Sequence, residues 1–188
     1  MSLSNAILGI LTYMPMTGYN LKKIFDKSIS HVWAASLSQI YRELSALEKK
    51  GYVHSTIKKQ EDKPNKKVYT ITEEGKKAFN HWLRDFPEKT LNPVRDDFLL
   101  RIFFGSRLEK DQLINEFNLF ILQRKEYLKL LMHIEENFST YCREYSISSP
   151  EKEMIFWHFT IKLGIMTLET TIKWAEECIE ELKSYEND

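Results

Sequence analysis

Leu37, Ile40, Leu44 and Leu47 recur at steps of three and four, so on a helix they share one face that must be buried. Ser36 stands just ahead of them and Gln39 three residues later, the spacing of a capping box, while Gly51 supplies the stop. Upstream, Leu3, Ala6, Ile7, Ile10 and Leu11 predict a first helix. Leu21, Ile24 and Phe25 predict a second over 17–28, with Pro15 and Gly18 punctuating the gap. Downstream, residues 52–57 and 68–71 are dense in β-branched and aromatic side chains and predict the two strands of a hairpin.

The second half has a different texture. After a proline-bounded linker over 86–93, Leu113, Phe117, Phe120, Arg124, Tyr127, Leu131, Ile134, Phe138, Tyr141 and Tyr145 form one heptad-like seam, with Arg124 its only charge. His158, Ile161, Ile165, Leu168, Ile172, Ala175, Ile179 and Leu182 form another, and Pro150 sits near the start of that helix, where a proline costs little. Two such helices can close on each other within one chain. Phe156, Phe159, Leu163 and Met166 would still lack a partner, and a second copy of the chain is the expected one.

The polar positions of the third helix carry the functional reading. Ser38, Gln39, Arg42, Ser45 and Lys49 point away from its apolar face, with short hydrogen-bonding groups near the N-terminus and cations farther along. A helix N-terminus offers free N–H groups and a positive dipole end to phosphate, and the second helix of a helix-turn-helix reads base edges with its first residues. Any amphipathic helix has a polar outer face, so this face alone decides nothing. Three helices followed by a hairpin is the order of a recognition helix with a wing.

The segment joining the strands, residues 58–67, holds five lysines against two acids around Pro64-Asn65. Counter-ion release makes such a tip attractive to a phosphate backbone. Lysine runs are usually just solvated, but the place of this one favours the wing. Ser38, Gln39 and Arg42 are then the expected base-edge readers, and the expected DNA-binding set also includes Ser36 at the cap, Lys49, and Lys66 and Lys67 of the wing. Gln39 carries a conflict, because a side chain folded back onto the cap cannot also read adenine.

Charge sharpens the division into halves. The chain has 188 residues and zero formal net charge, yet through Asp85 fourteen Lys and Arg face eight Asp and Glu, +6, and the remainder is −6. A basic half joined to an acidic one fits a DNA-binding domain fused to a domain with another task. Two cysteines, Cys142 and Cys178, set no disulfide framework. No basic leader precedes an apolar run and no stretch is long enough to span a bilayer, so the expectation is a cytoplasmic protein without membrane contact.

An enzyme is not expected. His31, His54, His81, His133 and His158 are scattered, and no HExxH, nucleophile elbow or phosphate-binding glycine loop occurs. No cofactor or metal is expected either.

Leu8-Gly9-Ile10-Leu11, Gly18-Tyr19-Asn20-Leu21, Ser38-Gln39-Ile40-Tyr41-Arg42-Glu43-Leu44 and the run from Asp62 to Gly75 resemble the PadR-like transcriptional regulators. Phe98-Leu99-Leu100-Arg101-Ile102-Phe103-Phe104-Gly105 and the tail containing Trp174 are similar, more loosely, to the larger members, whose C-terminal domain is like that of virulence activators. The resemblance implies a winged-helix dimer in a bacterial cytoplasm, usually a repressor, released from DNA by small effectors such as phenolic acids. It adds Tyr19 and Tyr41 to the expected DNA-facing residues. Many relatives carry arginine in the wing tip where this chain has Lys63 and Lys66, which favours phosphate contact over minor-groove reading.

The expected fold class is mainly α with a small β-hairpin. A winged helix-turn-helix covers 1–85, a linker 86–93, and an all-helical dimerisation domain, with a possible effector role, 94–188. The expected partners are double-stranded DNA with a palindromic operator, a second copy held through Ile161, Ile165, Leu168, Ile172, Ile179 and Leu182, and a small aromatic effector. Phe103, Phe104, Tyr127, Tyr141, Trp157 and Trp174 are the aromatic candidates for the effector site, and Arg95, Arg101 and His158 its candidate anion partners. A winged helix that docks protein instead of DNA is the alternative.

Overall fold

The computed structural model describes residues 2–58, 65–87 and 96–185. Two compact units divide the chain, residues 1–88 with 136–157 and residues 89–135 with 158–188. The second unit is thus an insertion and a tail, and the first takes back a segment from late in the sequence.

In the first unit α1 (Ser2–Leu11), α2 (Gly18–Ser28) and α3 (Leu37–Lys49) bring their apolar stripes together, burying Ile7, Leu8, Leu11, Leu21, Ile24, Phe25, Ile40, Leu44 and Leu47. Thr17 caps α2, its Oγ1 accepting from the Asn20 N–H at 3.1 Å. Gly51 ends α3 with φ of 72°, Tyr52 N–H donating to Leu47 C=O and Gly51 N–H to Glu48 C=O, each at 3.0 Å. That paired arrangement needs the left-handed residue at the position Gly51 holds.

The sheet has three strands, one more than the predicted hairpin. β2 (Val53–Lys58) and β3 (Lys66–Ile71) pair antiparallel with Ser55 opposite Tyr69 and Ile57 opposite Lys67, and β1 (Met16–Thr17) adds to the other edge of β3. Two residues are too few to show a period of two, so patterning passed over β1. α4 (Glu73–Arg84) was also not anticipated as an element. Thr72 caps it, accepting from the Gly75 N–H, and Gly75 lies so close to β2 that a Cβ there would meet the Tyr52 carbonyl oxygen at 2.1 Å.

The expected single seam through 113–145 needs correction. α6 (Lys110–Glu136) ends before Asn137, and α7 (Phe138–Glu144) follows as a separate helix whose Phe138, Tyr141 and Cys142 are buried in the first unit. There Tyr13 Oη donates to Glu153 Oε2 at 3.1 Å, and Lys27 Nζ donates to Glu144 Oε2 at 3.4 Å. Burial, and then the Glu153 carboxylate, pushes the Tyr13 hydroxyl well above its ordinary range.

In the second unit α5 (Asp97–Phe103), α6 and the part of α8 (Pro150–Ser184) from His158 onward enclose Phe117, Phe120, Ile121, Ile172, Ala175 and Ile179. Phe98 of α5 stacks on Phe120 at 4.3 Å, and Trp174 meets Phe117 and Phe120 edge-on. The Arg124 guanidinium lies over the Phe120 ring at 3.9 Å, which accounts for a charge inside an apolar seam.

Most of the residues expected at a subunit contact are covered by their own chain. Ile161 is wholly buried, Leu168, Ile172 and Ile179 nearly so, and Ile165 and Leu182 partly, all within one chain. A side chain with no exposed surface has none left to bury against a second copy. The exposed apolar residues of α8 are instead Ile155, Phe156, Phe159, Leu163 and Met166.

Candidate nucleic-acid interface

The N-terminus of α3 is built by its cap. Ser36 Oγ accepts from the Gln39 N–H at 3.3 Å and Gln39 Oε1 accepts from the Ser36 N–H at 2.8 Å, a complete capping box. The anticipated conflict is therefore real, since the Gln39 amide oxygen is occupied in the free chain. A bidentate contact to adenine needs both ends of that amide, so reading with Gln39 requires breaking the box at about 1 kcal/mol. Ser38 is exposed with its hydroxyl 3.0 Å from that of Ser36, and Arg42 is exposed one turn on with no ion pair among the described residues. Lys49 is exposed at the far end of the helix.

Both carboxylates of α3 are drawn off its outer face. Glu43 Oε2 accepts from Ser4 Oγ of α1 at 2.6 Å. Glu48 faces the sheet, pairing through Oε2 with Lys67 Nζ at 2.8 Å and accepting through Oε1 from the Ser55 hydroxyl. These hydrogen bonds hold the Glu48 carboxyl below its ordinary range and raise Lys67. The remaining outer face, Ser38, Arg42, Ser45 and Lys49, carries cations and hydroxyls only.

Lys66 and Lys67 therefore differ. Lys66 is exposed at the first position of β3, whereas Lys67 is held by Glu48 and lies over the Tyr69 ring at 5.1 Å. Lys63 lies outside the described residues. Glu48, Ser55 and Glu43 were not singled out from sequence. Their roles depend on which element each side chain meets, and only strand register and helix packing disclose that.

Tyr19 and Tyr41 are both exposed in part, but they serve different local purposes. Lys23 Nζ stands 4.8 Å above the Tyr19 ring. The Tyr41 ring lies against Gly18, where a Cβ would meet Cε1 at 2.5 Å, so the missing side chain lets α3 approach the start of α2.

The expected effector residues are divided between the two units. Tyr141 and Trp157 belong to the first unit and Phe103, Phe104, Tyr127 and Trp174 to the second, where Trp174 is part of the core. Arg101 pairs with Asp97 at 2.7 Å and His158 with Glu135 at 2.5 Å, so each already faces a carboxylate, and Arg95 lies outside the described residues. The first unit holds a cavity of about 220 Å³ walled by Met14, Met16, Ile24 and Tyr145 with Asn20, Lys23 and Glu144 at its polar side. A larger one, about 470 Å³, opens in the second beside Ile102, Leu108, Leu113, Phe117 and Leu182. Among the described residues no three of His, Cys, Asp and Glu group as metal ligands, and no helix is long and apolar enough to cross a membrane.

Comparison with known proteins places this geometry. Residues 7–81 match the transcriptional regulator PadR-like family and residues 94–183 the C-terminal domain of virulence activator alpha. The negative transcriptional regulator PadR of Bacillus subtilis is 29% identical over 181 residues, covering 94% of this chain and 95% of that protein. A probable transcriptional regulator of Mycobacterium tuberculosis is 37% identical over 95 residues, about half of each chain. The crystal structure of Bacillus subtilis PadR with operator DNA superposes with a TM-score of 0.78 at 27% identity, covering 97% of this chain and 99% of that one. The Vibrio cholerae virulence activator AphA gives 0.71 at 25% identity, covering 97% and 98%. The chain thus carries a PadR-like family domain followed by a virulence-activator C-terminal domain, and it is similar along nearly its whole length to Bacillus subtilis PadR.

Proposed function

We propose that the chain is a homodimeric repressor that binds a palindromic operator in the cytoplasm and leaves it when a small aromatic acid binds. The observation that carries the DNA reading is the outer face of α3, with Ser38 and Arg42 exposed at its leading end and both its acids turned to protein partners. A groove lined by phosphate rejects exposed carboxylates, and this face offers none. Ser38 and Arg42 take the base-edge side next to the Ser36 cap, Gln39 joins once released from it, and Tyr19, Tyr41, Lys49, Lys63 and Lys66 flank the backbone, with Lys67 beside them held on Glu48. Residues 1–85 act as the DNA-binding part, 86–93 as the linker and 94–188 as the dimerising part. Repression and the effector rest on likeness: the Bacillus subtilis relative is a negative regulator, and it has been crystallised with operator DNA and with p-coumaric acid.

A gel-shift of the full chain on the DNA upstream of its own gene, against a shuffled duplex of equal length, tests the reading. Preferential retardation of the upstream duplex, reversed by p-coumarate, is expected. Equal affinity for both duplexes at every salt concentration overturns operator recognition. Unchanged retardation across a series of aromatic acids overturns the effector.

A further inference from the structure

Burial of the inner face of the hairpin stops partway along. Val53 pairs with Ile71 and Ser55 with Tyr69, and Val53, Ile71 and Tyr69 are buried against the helices. The next residues on that face are Ile57 and Lys67, and Ile57 is 70% exposed. Hydrophobic contact thus orients the base of the wing and stops at Tyr69. What continues past that point is polar. Glu48, the penultimate residue of α3, reaches Ser55 on β2 with one carboxylate oxygen and Lys67 on β3 with the other, at 2.8 Å for the lysine. One side chain therefore joins the candidate recognition helix to both strands, to Ser55 on the last packed rung and to Lys67 on the rung beyond it.

We propose that Glu48 is a positioning residue that fixes the angle of the wing relative to α3, and so sets DNA specificity without touching DNA. The inference rests on the DNA-binding reading above. An exposed ion pair alone is worth little. Here, however, a single carboxylate accepts from two elements at once, so losing it frees both strands together and also releases a lysine toward phosphate. Opposite effects on the two kinds of DNA follow. Sequence-independent binding strengthens, because the carboxylate that neutralises Lys67 is gone and that lysine becomes available. Discrimination weakens, because the wing no longer arrives in register with the helix.

The experiment uses the full chain and a duplex selected by the wild-type protein from a random library, with a shuffled duplex as reference. For Glu48→Gln the shuffled duplex should bind more tightly with a salt slope steeper by about one counter-ion, and the selected-to-shuffled affinity ratio should fall about tenfold. Ser55→Ala, which removes one anchor and no charge, should lower the ratio severalfold while leaving the salt slope unchanged. Adding Lys67→Gln to Glu48→Gln should abolish the gain in slope. If Glu48→Gln and Ser55→Ala, both shown folded by circular dichroism, keep the wild-type ratio, the positioning role is wrong while the DNA reading stands. A purely electrostatic role is the finding if Glu48→Gln raises affinity for both duplexes by the same factor and Ser55→Ala is silent, and that too overturns the proposal. If the wild-type chain selects no sequence from the library, the DNA reading itself fails.

Discussion

At the scale of single residues, charge and reach separate side chains that look interchangeable in the sequence. Arg42 and Lys66 are both exposed cations, but Arg42 stands on the leading part of α3 and Lys66 on a strand. Arg42→Ala should therefore cost about 1–3 kcal/mol at particular operator positions and little elsewhere. Lys66→Ala should weaken every duplex alike and lower the salt slope by about one. Affinities over single-base operator variants check both, and a uniform loss for Arg42→Ala would move it to the phosphate class. The glycines divide in the same way. At Gly75 an added methyl meets the Tyr52 backbone oxygen, which cannot move without moving β2, so Gly75→Ala should lose about 3 kcal/mol in urea unfolding. At Gly18 the obstacle is the Tyr41 ring, which can swing aside, so Gly18→Ala should cost about 1 kcal/mol or less and instead disturb DNA binding. The capping box was legible from Ser36 and Gln39 because caps are local, whereas the Glu48 anchor was not, because its partners stand 7 and 19 residues away.

At the scale of elements, legibility followed length and period. α1, α2, α3 and both hairpin strands show themselves through apolar repeats, and Gly51 marks a real stop. β1 is too short to have a period, and the break at Asn137 leaves the seven-residue rhythm of the seam undisturbed, so Phe138, Tyr141 and Tyr145 read as a continuation of α6 when they belong to another unit. That segment makes the first unit sensitive to alkali. Burial, and next the Glu144 carboxylate, pushes the Tyr145 hydroxyl from 10.0 to about 12, and burial with Glu153 raises Tyr13 as well. The folded chain keeps these phenolic protons where the unfolded chain has already released them. Their contribution is therefore complete below the ordinary tyrosine value and drains away as pH rises through the window from 10.0 to about 12. The melting temperature should fall steadily across that range, and Tyr145→Phe should flatten part of the decline. A melting temperature constant over the window, with tyrosinate absorbance rising as in free tyrosine, would show that neither hydroxyl is held this way.

At the scale of the whole molecule, the charge division constrains how two copies can meet. The part beyond Asp85 carries −6, so two such parts repel, and the proposed dimer needs apolar surface to hold it. With Ile161, Leu168, Ile172 and Ile179 buried inside one chain, Leu163 at 68% exposure and Met166 at 54% are among the large apolar side chains of α8, with Ile155, Phe156 and Phe159, that can provide it. Two recognition helices held by a twofold axis suit half-sites about one DNA turn, roughly 34 Å, apart. Salt should then act in opposite directions on the two associations. Screening relieves repulsion between the acidic parts and leaves the apolar contact intact, so the dimer should tighten or hold as salt rises. DNA binding should weaken steeply over the same range as released counter-ions lose their advantage. Sedimentation at micromolar protein should report two chains for the wild type and one for the double substitution Leu163→Glu with Met166→Glu, with helical content retained. Operator affinity in that variant should drop toward its affinity for shuffled DNA, because a single winged helix engages only one half-site. A variant that still sediments as two chains would move the subunit contact off this face of α8, and a wild type that dissociates as salt rises would assign it to ion pairs instead.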